Sequence, residues 1–506
     1  MYGGVSASRG LPSPLRAAVR LLPVPAHRPP LSDLQSNAVR EFVQRSPLLG
    51  DLGERFEAAG HALHLVGGSV RDALLGRLGD DLDLTTDAHP ARVQEIVEGW
   101  ADTTWDAGIA FGTVGLSRKG ARVEITTYRA ESYDPLSRKP AVSFGASLEG
   151  DLIRRDFAMN AMALALPDWR APGAFVDLYG GMDDLLAGVI RTPGRPEDSF
   201  DDDPLRMLRA ARFASQLGFT VAPDVVAAMA DRAARISIVS AERVRAELEK
   251  LLLGSHPRAG LTLLVDTGLA DQVLPELPAL RLEIDEHHQH KDVYEHTLQV
   301  LERAIAVEDE PDLVLRLAAL LHDIGKPATR RLEPGGGVSF HHHEVKGAHL
   351  ARKRLKALTF GKEVVEAVFL LTEMHLRFHG YGQPGTSPWT DAAVRRYVHD
   401  AGDQLERLHR LTRSDCTTRN KRRAAALSLA YDDLERRIAA LAEQEELRAI
   451  RPDLDGTAIM ELLGLPPGPT VGRAYKHLLA LRMERGPLPH DEAVAALRAW
   501  YAGQPD

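Results

Sequence analysis

From about Asn37 to Leu166 the chain alternates stretches of helical periodicity with short runs of β character, namely HALHLVGG, DDLDLTT, GTVGLS, ARVEITTYR and MNAMALAL. Strands mixed with helices in this way predict an α+β domain around a small mixed sheet. After Pro196 the pattern changes to long amphipathic stretches rich in Leu, Ala and Arg, such as DDPLRMLRAARFASQLGF and AERVRAELEKLLLG, with Gly218 and Gly254 at plausible helix ends. The remainder of the chain is therefore expected to be almost all helix. A loop containing GYGQPGTSPW, near 380–389, separates helices in the later part, and no internal repeat of fixed period is visible.

These changes of pattern divide the chain into a tail (1–36), an α+β head (37–195), a helical neck (196–280), a histidine-bearing helical domain (281–425) and a helical C-terminal region (426–506). The tail is rich in Pro, Ser and Ala and lacks the uninterrupted apolar core of a signal peptide, so it is expected to be mobile.

With 506 residues, 44% hydrophobic and 26% charged, the chain has apolar material for several cores, which excludes a disordered protein and a disulfide-stapled miniature. The single Cys416 cannot form an intramolecular disulfide, and no stretch approaches the roughly 18 apolar residues of a membrane helix. A cytoplasmic protein with no membrane partner is expected. The net charge of -9 means that bulk electrostatics do not draw it to a polyanion, and any such contact must use local patches.

His64-Leu65-Val66-Gly67-Gly68-Ser69 reads as a short strand ending in a glycine turn, and Asp81-Leu82-Asp83-Leu84 follows. Residues two apart on a strand point the same way, so Asp81 and Asp83 would share one face with Leu82 and Leu84 buried behind them. Two like charges held together call for a cation, and Mg²⁺ prefers carboxylate oxygens and substrate phosphates. Val123-Glu124-Ile125 offers a third acid on another strand. A two-metal site of this kind activates a hydroxyl and stabilises a pyrophosphate leaving group. A turn without Cβ atoms at Gly67 and Gly68 lets backbone N–H groups approach a triphosphate, with Arg71 close by to supply charge.

Through LVGGSVRDALLG, DDLDLTT, VEITTYR, DLIRRDFAMNAMAL, DDDPLRMLRAARFASQLGF and AERVRAELEKLL, the chain resembles the nucleotidyltransferase superfamily. More closely it resembles the bacterial class II tRNA nucleotidyltransferase and poly(A) polymerase family. That resemblance implies that Asp81 and Asp83 bind the metal, that Glu124 supports them, and that Gly68, Arg71 and Arg155 meet the triphosphate, with Asp156 and Asn160 nearby for ribose or structural hydrogen bonds. Arg206, Arg209 and Arg212 recur every three residues along one side of a helix. With Asp203, they are implied to read the incoming CTP or ATP without a nucleic acid template. The family usually has Glu-Asp-Pro where this chain has Asp202-Asp203-Pro204, which puts the bracing of Arg206 in question. The segment Tyr133–Gly150 matches a flexible loop beside the site.

Farther on, His296 lies in DVYEHTLQVL, His322-Asp323 in AALLHDIGKP, His343 in SFHHHEVKGA, His375 in TEMHLRFHG and Asp415 in LTRSDCTTRN. Imidazoles and carboxylates brought together from separate helices suit a divalent transition metal. The set resembles the HD phosphohydrolase superfamily, which implies His296, His322, Asp323 and Asp415 as ligands and His343 and His375 as contacts to a second metal or a phosphate. His287, His288, His290, His341 and His342 are expected to face solvent. Such a centre either hydrolyses phosphate esters or serves as a structural clasp.

Basic clusters at Arg352, Lys353, Arg354 and Lys356, and at Arg419, Lys421, Arg422 and Arg423, are either phosphate contacts or solvated helix faces. The expected activity is addition of CCA to the tRNA 3′ end. A poly(A) polymerase or an enzyme adding only CC or A would share these motifs. An HD phosphohydrolase with a nucleotide-sensing head is the alternative of another class.

Overall fold

The computed structural model describes residues 32–77, 81–106, 108–109, 112–132, 141–144, 147–281, 292–334, 337–378, 381, 389–416, 421–444 and 450–504. Most of the expected tail, the core of the Tyr133–Gly150 loop, nearly all of the GYGQPGTSPW loop, Arg419, and His287, His288 and His290 lie outside the described residues. The chain divides into two compact units, one formed by Met1–Ala187 with Thr192–Gly194 and the other by Gly188–Arg191 with Arg195–Asp506.

The first unit is built on a seven-stranded mixed sheet. In chain order its strands are β1 (Leu63–Val66), β2 (Asp81–Thr86), β3 (Thr103–Trp105), β4 (Thr113–Arg118) and β5 (Ala121–Thr127). A separate hairpin of β6 (Arg129–Ser132) and β7 (Ala141–Phe144) comes next, followed by β8 (Met162–Leu166) and β9 (Phe175–Asp177). The sheet order is β3-β4-β5-β2-β1-β8-β9, with β2 and β5 parallel and the other pairs antiparallel. Leu82, Leu84, Val114, Leu116, Val123 and Ile125 alternate onto one buried face, against which the helix Pro90–Val97 packs through Val93. The opposite face of β2 is open at Asp81 and Asp83.

The first helix, Asp33–Arg45, starts inside the stretch expected to be tail. Ser32 accepts from the Gln35 N–H and its own N–H donates to the Gln35 side chain, a capping box spelled by Ser-Asp-Leu-Gln.

The second unit is helical, with two small two-stranded ladders. Leu205–Leu217 packs on Ala241–Leu252 and Pro257–Asp266. Buried Arg316, on the helix Leu313–Leu321, ion-pairs with Glu308 and donates to the carbonyls of Leu252 and Gly254, which ties this helix to the end of Ala241–Leu252. The last three helices, Gly456–Leu463, Pro469–Arg485 and His490–Ala502, enclose a small core of their own around Ile459, Ala474, Leu478, Ala493 and Leu497. Among the described residues, no helix is long and apolar enough to cross a membrane.

Candidate active site and metal centre

In the first unit the glycine turn, the acidic strand and the Arg154-Arg155 helix end converge. Gly67 has φ +70°, and a Cβ added there would lie 3.0 Å from Arg155 Nη1 and 3.5 Å from Asp83 Oδ2, so only glycine lets the turn come this close. Ser69 locks the turn to β2: its hydroxyl accepts from the Asp83 N–H at 3.0 Å and donates to the Asp81 carbonyl at 3.2 Å. In the register of β2 with β5, Asp81 sits beside Arg122 and Asp83 beside Glu124. Asp81, Asp83 and Glu124 therefore share the open face. Glu124 also accepts from Arg122 Nη2 at 3.0 Å.

Asp151 lies beneath Arg155 with no exposure to solvent. It accepts from Arg154 Nη2 at 2.8 Å, from Arg155 Nη2 at 3.1 Å and from the Thr85 hydroxyl at 3.4 Å. Burial works to raise this carboxyl, but the two guanidiniums outweigh it and hold the group below its usual range. Arg155 Nε is buried without a hydrogen-bond partner. Arg71 is buried beneath the turn, donating to Asn160 Oδ1 at 2.8 Å and to both Asp72 oxygens at 2.9 Å. A Cβ at Gly68 would lie 3.5 Å from Arg71 Nη2. Asp156 accepts in turn from Asn160 at 3.0 Å, so Asp156 and Asn160 extend this bracing network.

In the second unit Asp203 precedes the helix Leu205–Leu217, accepting from the Leu205 N–H at 3.1 Å while its other oxygen pairs with Arg243 at 2.9 Å. Arg206 donates to the Ser199 hydroxyl at 2.8 Å, one source of bracing for this arginine. The arginine stripe faces an acid that spacing alone does not reveal: Glu247 lies 3.2 Å from Arg212 and 3.9 Å from Arg209. Arg206 and Arg212 are buried, whereas Arg209 keeps about a third of its side chain exposed. Of the basic residues in helix His343–Ala357, Arg352 pairs with Glu366 and Arg354 with Glu276.

The histidine-aspartate residues form one compact centre in the same unit. His296 Nε2 lies 3.0 Å from Asp415 Oδ1, and His322 Nε2 lies 3.2 Å from Asp323 Oδ2. His343 Nε2 approaches the other oxygen of Asp323 at 3.2 Å. The rings of His322 and His343 stand 5.2 Å and 5.4 Å from that of His375. Nδ1 of His322, His343 and His375 each meets a carbonyl three residues earlier, at 2.9, 2.8 and 2.6 Å. A carbonyl can only accept, so Nδ1 carries the proton and the lone pair of Nε2 turns inward. All three Nε2 atoms are buried without a hydrogen bond.

Two ligand sets follow, His296, His322 and Asp415 in one, and Asp323, His343 and His375 in the other, each with its donor atoms within 4.8 Å of one another. This donor chemistry fits a divalent transition metal. Burial opposes charge on His322, but Asp323 and Asp415 beside it raise it to about 8, so a cation binding at its Nε2 must displace a proton there. Burial and the neighbouring His322 lower His375 to about 3. Burial works to raise Asp415 too, but His296 and His322 hold it below the usual carboxylate range. Lys326 donates to Asp323 at 2.6 Å, a residue of HDIGKP to which the sequence alone gave no role.

Three family models match in order: Poly A polymerase head domain over residues 63–191, Probable RNA and SrmB- binding site of polymerase A over 218–280, and HD domain over 293–442. The CCA-adding enzyme of Lactiplantibacillus plantarum is 44% identical over 230 residues, 45% of this chain and 53% of that one, so the chain spans about half the length of this relative. The A-adding tRNA nucleotidyltransferase of Deinococcus radiodurans is 35% identical over 454 residues, 87% of this chain and 96% of that one. The chain belongs to the tRNA nucleotidyltransferase and poly(A) polymerase family.

The solved CCA-adding enzyme of Bacillus stearothermophilus, in complex with CTP, shares the family fold with a TM-score of 0.64 and 26% identity, over 93% of this chain and 98% of that one. Within this family member, Asp83 and Arg155 both lie beside the glycine turn, while Arg71 donates to Asn160 and Asp72, and Arg212 pairs with Glu247. Ser69 is a residue to which sequence reasoning assigned no role, whereas Asp151 is the acid of the Arg-Asp network that the string DLIRRDFAMNA offers. Asp151 stands three and four residues before the two arginines, a helical spacing that signals the pair.

Proposed function

We propose that this chain adds CCA to tRNA 3′ ends from CTP and ATP, without a template. The observation that carries this reading is the convergence of Asp83 Oδ2 and Arg155 Nη1 on Gly67 at the open face of the sheet. Asp81 and Asp83, with Glu124 beside them, would hold Mg²⁺, which would supply activation of the RNA 3′-hydroxyl and neutralisation of charge at the α-phosphate. The turn at Gly67 and Gly68 and the guanidinium of Arg155 receive the triphosphate, and Asp151 fixes Arg155 in that posture. The 3′ oxygen bonds to the α-phosphorus as the bond to the bridging oxygen breaks, and pyrophosphate leaves with that electron pair.

In the neck, Asp203 and Arg206 read the base, while Arg209 and Arg212 keep this helix in place through Glu247. A cytoplasmic setting, expected from one cysteine, accompanies this reading. In the HD domain, His296, His322, Asp323 and Asp415 would hold a transition metal, and His343 and His375 would provide for a second, Asp323 lying within 3.5 Å of His296, His322 and His343. The chemistry supplied there is hydrolysis of a phosphate ester.

The relatives named for CCA addition support the leading reading. One observation favours a narrower one, addition of the terminal A alone: the Deinococcus relative, which matches across both units, is an A-adding enzyme. Incubating the protein with tRNA lacking all three nucleotides, and separately with tRNA ending in CC, in the presence of CTP, ATP or both, distinguishes them. CCA addition requires CTP incorporation on the first tRNA and completion when ATP is also present. Extension of the CC-ended tRNA alone assigns A addition, and long A tracts on unstructured RNA assign a poly(A) polymerase.

A further inference from the structure

Trp105 ends the edge strand β3 on the same side of the sheet as the candidate metal-binding acids. Its register partner is Gly115 on β4, Gly115 pairs with Glu124 on β5, and Glu124 pairs with Asp83 on β2. Partners in register project to the same face, so one row across four strands runs from the indole to the catalytic carboxylate. The indole rests against Gly115: a Cβ there would stand 1.9 Å from Trp105 Nε1 and 2.0 Å from Cε2. Only glycine makes room for the ring against the backbone.

The surroundings are polar and open. Thr103 and Ser117 share a hydrogen bond of 2.7 Å on this face, and the Trp105 ring is only partly covered. The guanidinium of Arg122, whose side chain is 59% exposed, stands 5.2 Å from the centre of the indole and also pairs with Glu124. This large aromatic ring packs on backbone at an exposed sheet edge and stays partly open instead of entering the core. Beside a cation, it has the makeup of a platform for a nucleic acid base, because every base offers a π-face and its phosphate needs a positive partner.

We infer that Trp105 is the stacking platform for the unpaired 3′ end of the RNA acceptor, with Arg122 its phosphate contact. The inference deepens the nucleotidyl-transfer reading and rests on it. Two strand spacings separate the backbones of Gly115 and Asp83, about 10 Å, a span suited to a nucleotide with its base on the indole and its 3′ hydroxyl toward Asp83. The incoming nucleotide belongs to Gly67 and Arg155, so the indole serves the RNA and not the triphosphate.

The test uses the full chain and an acceptor-stem RNA that ends in one unpaired nucleotide, lacking CCA. With CTP saturating, Trp105→Ala should raise the KM for this RNA about tenfold, as loss of one base stack predicts, with the KM for CTP within about twofold of wild type. Trp105→Phe should recover most of the loss. A structural role would lower Tm and disturb both KM values, and either result overturns the inference, as does an unchanged KM for RNA. Binding is read independently of chemistry. Titration with the same RNA should quench the emission that wild type has and Trp105→Phe lacks, which isolates this indole among five tryptophans. Absence of that quenching rejects the platform even if Trp105→Ala fails to fold. Wild type that incorporates neither CTP nor ATP, yet shows the quenching, rejects the nucleotidyl-transfer reading and keeps the RNA contact.

Discussion

Asp151 has no contact with water, yet it carries two guanidiniums, and the position of Arg155 under the glycine turn depends on it. Replacing it by Asn leaves two partly buried cations without their counter-charge, a change that costs about 3 kcal/mol when one partner of a buried pair is removed. Asp151→Asn should therefore lower the stability of the first unit by about that amount in denaturant unfolding. It should also raise the KM for CTP, since Arg155 loses its anchor. The sign of the pH effect follows from the direction of the shift. The folded-state pKa lies below the ordinary 3.8, so the stabilisation is fully present above that value and disappears as pH falls through the folded value. Wild type should lose stability steeply below about pH 4, and Asp151→Asn should show a shallower loss from a lower starting point, measured as unfolding midpoints across an acid series.

At the scale of elements, the metal centre depends on how closely the end of one helix approaches the start of another. A Cβ at Gly325 would lie 2.1 Å from the His343 carbonyl oxygen and 2.6 Å from the Gly347 N–H, so the turn after His322-Asp323 rests directly on the helix that carries His343. Gly325→Ala must push these backbones apart. The expected outcome is a loss of about 1–3 kcal/mol with weaker transition-metal retention, followed by thermal unfolding and elemental analysis of the purified protein. This contact explains what could be read from the chain beforehand. His-Asp-Ile-Gly is a local string, and Asp81 and Asp83 announce their shared face by a period of two, so both were visible in one dimension. The arginines at 206, 209 and 212 were visible as a stripe, but their acid, Glu247, comes from a distant helix, and the stripe alone could not distinguish a phosphate partner from a protein one. Trp105 was hidden for a similar reason, since its glycine cradle becomes visible only once β3 and β4 are in register.

Across the whole molecule, two sets of candidate cation-binding side chains divide along the chain in the same way as its compact units. Asp81, Asp83 and Glu124 belong to the first unit, and every candidate ligand from His296 to Asp415 belongs to the second. Their chemistry differs as well. The head offers carboxylates on an open face, suited to Mg²⁺ that arrives with a nucleotide, while the second centre turns buried imidazole lone pairs inward and suits an ion retained through purification. A single substitution should consequently separate the two. His322→Ala removes one buried donor and should reduce bound transition metal to about a tenth or less of wild type by elemental analysis, together with hydrolysis of a model phosphate diester. Nucleotide incorporation into tRNA with added Mg²⁺ should remain within about twofold of wild type, because no head ligand is touched. A parallel loss of incorporation in folded His322→Ala would mean that the two centres act as one, and the assignment of separate chemistries to the two units would have to be abandoned.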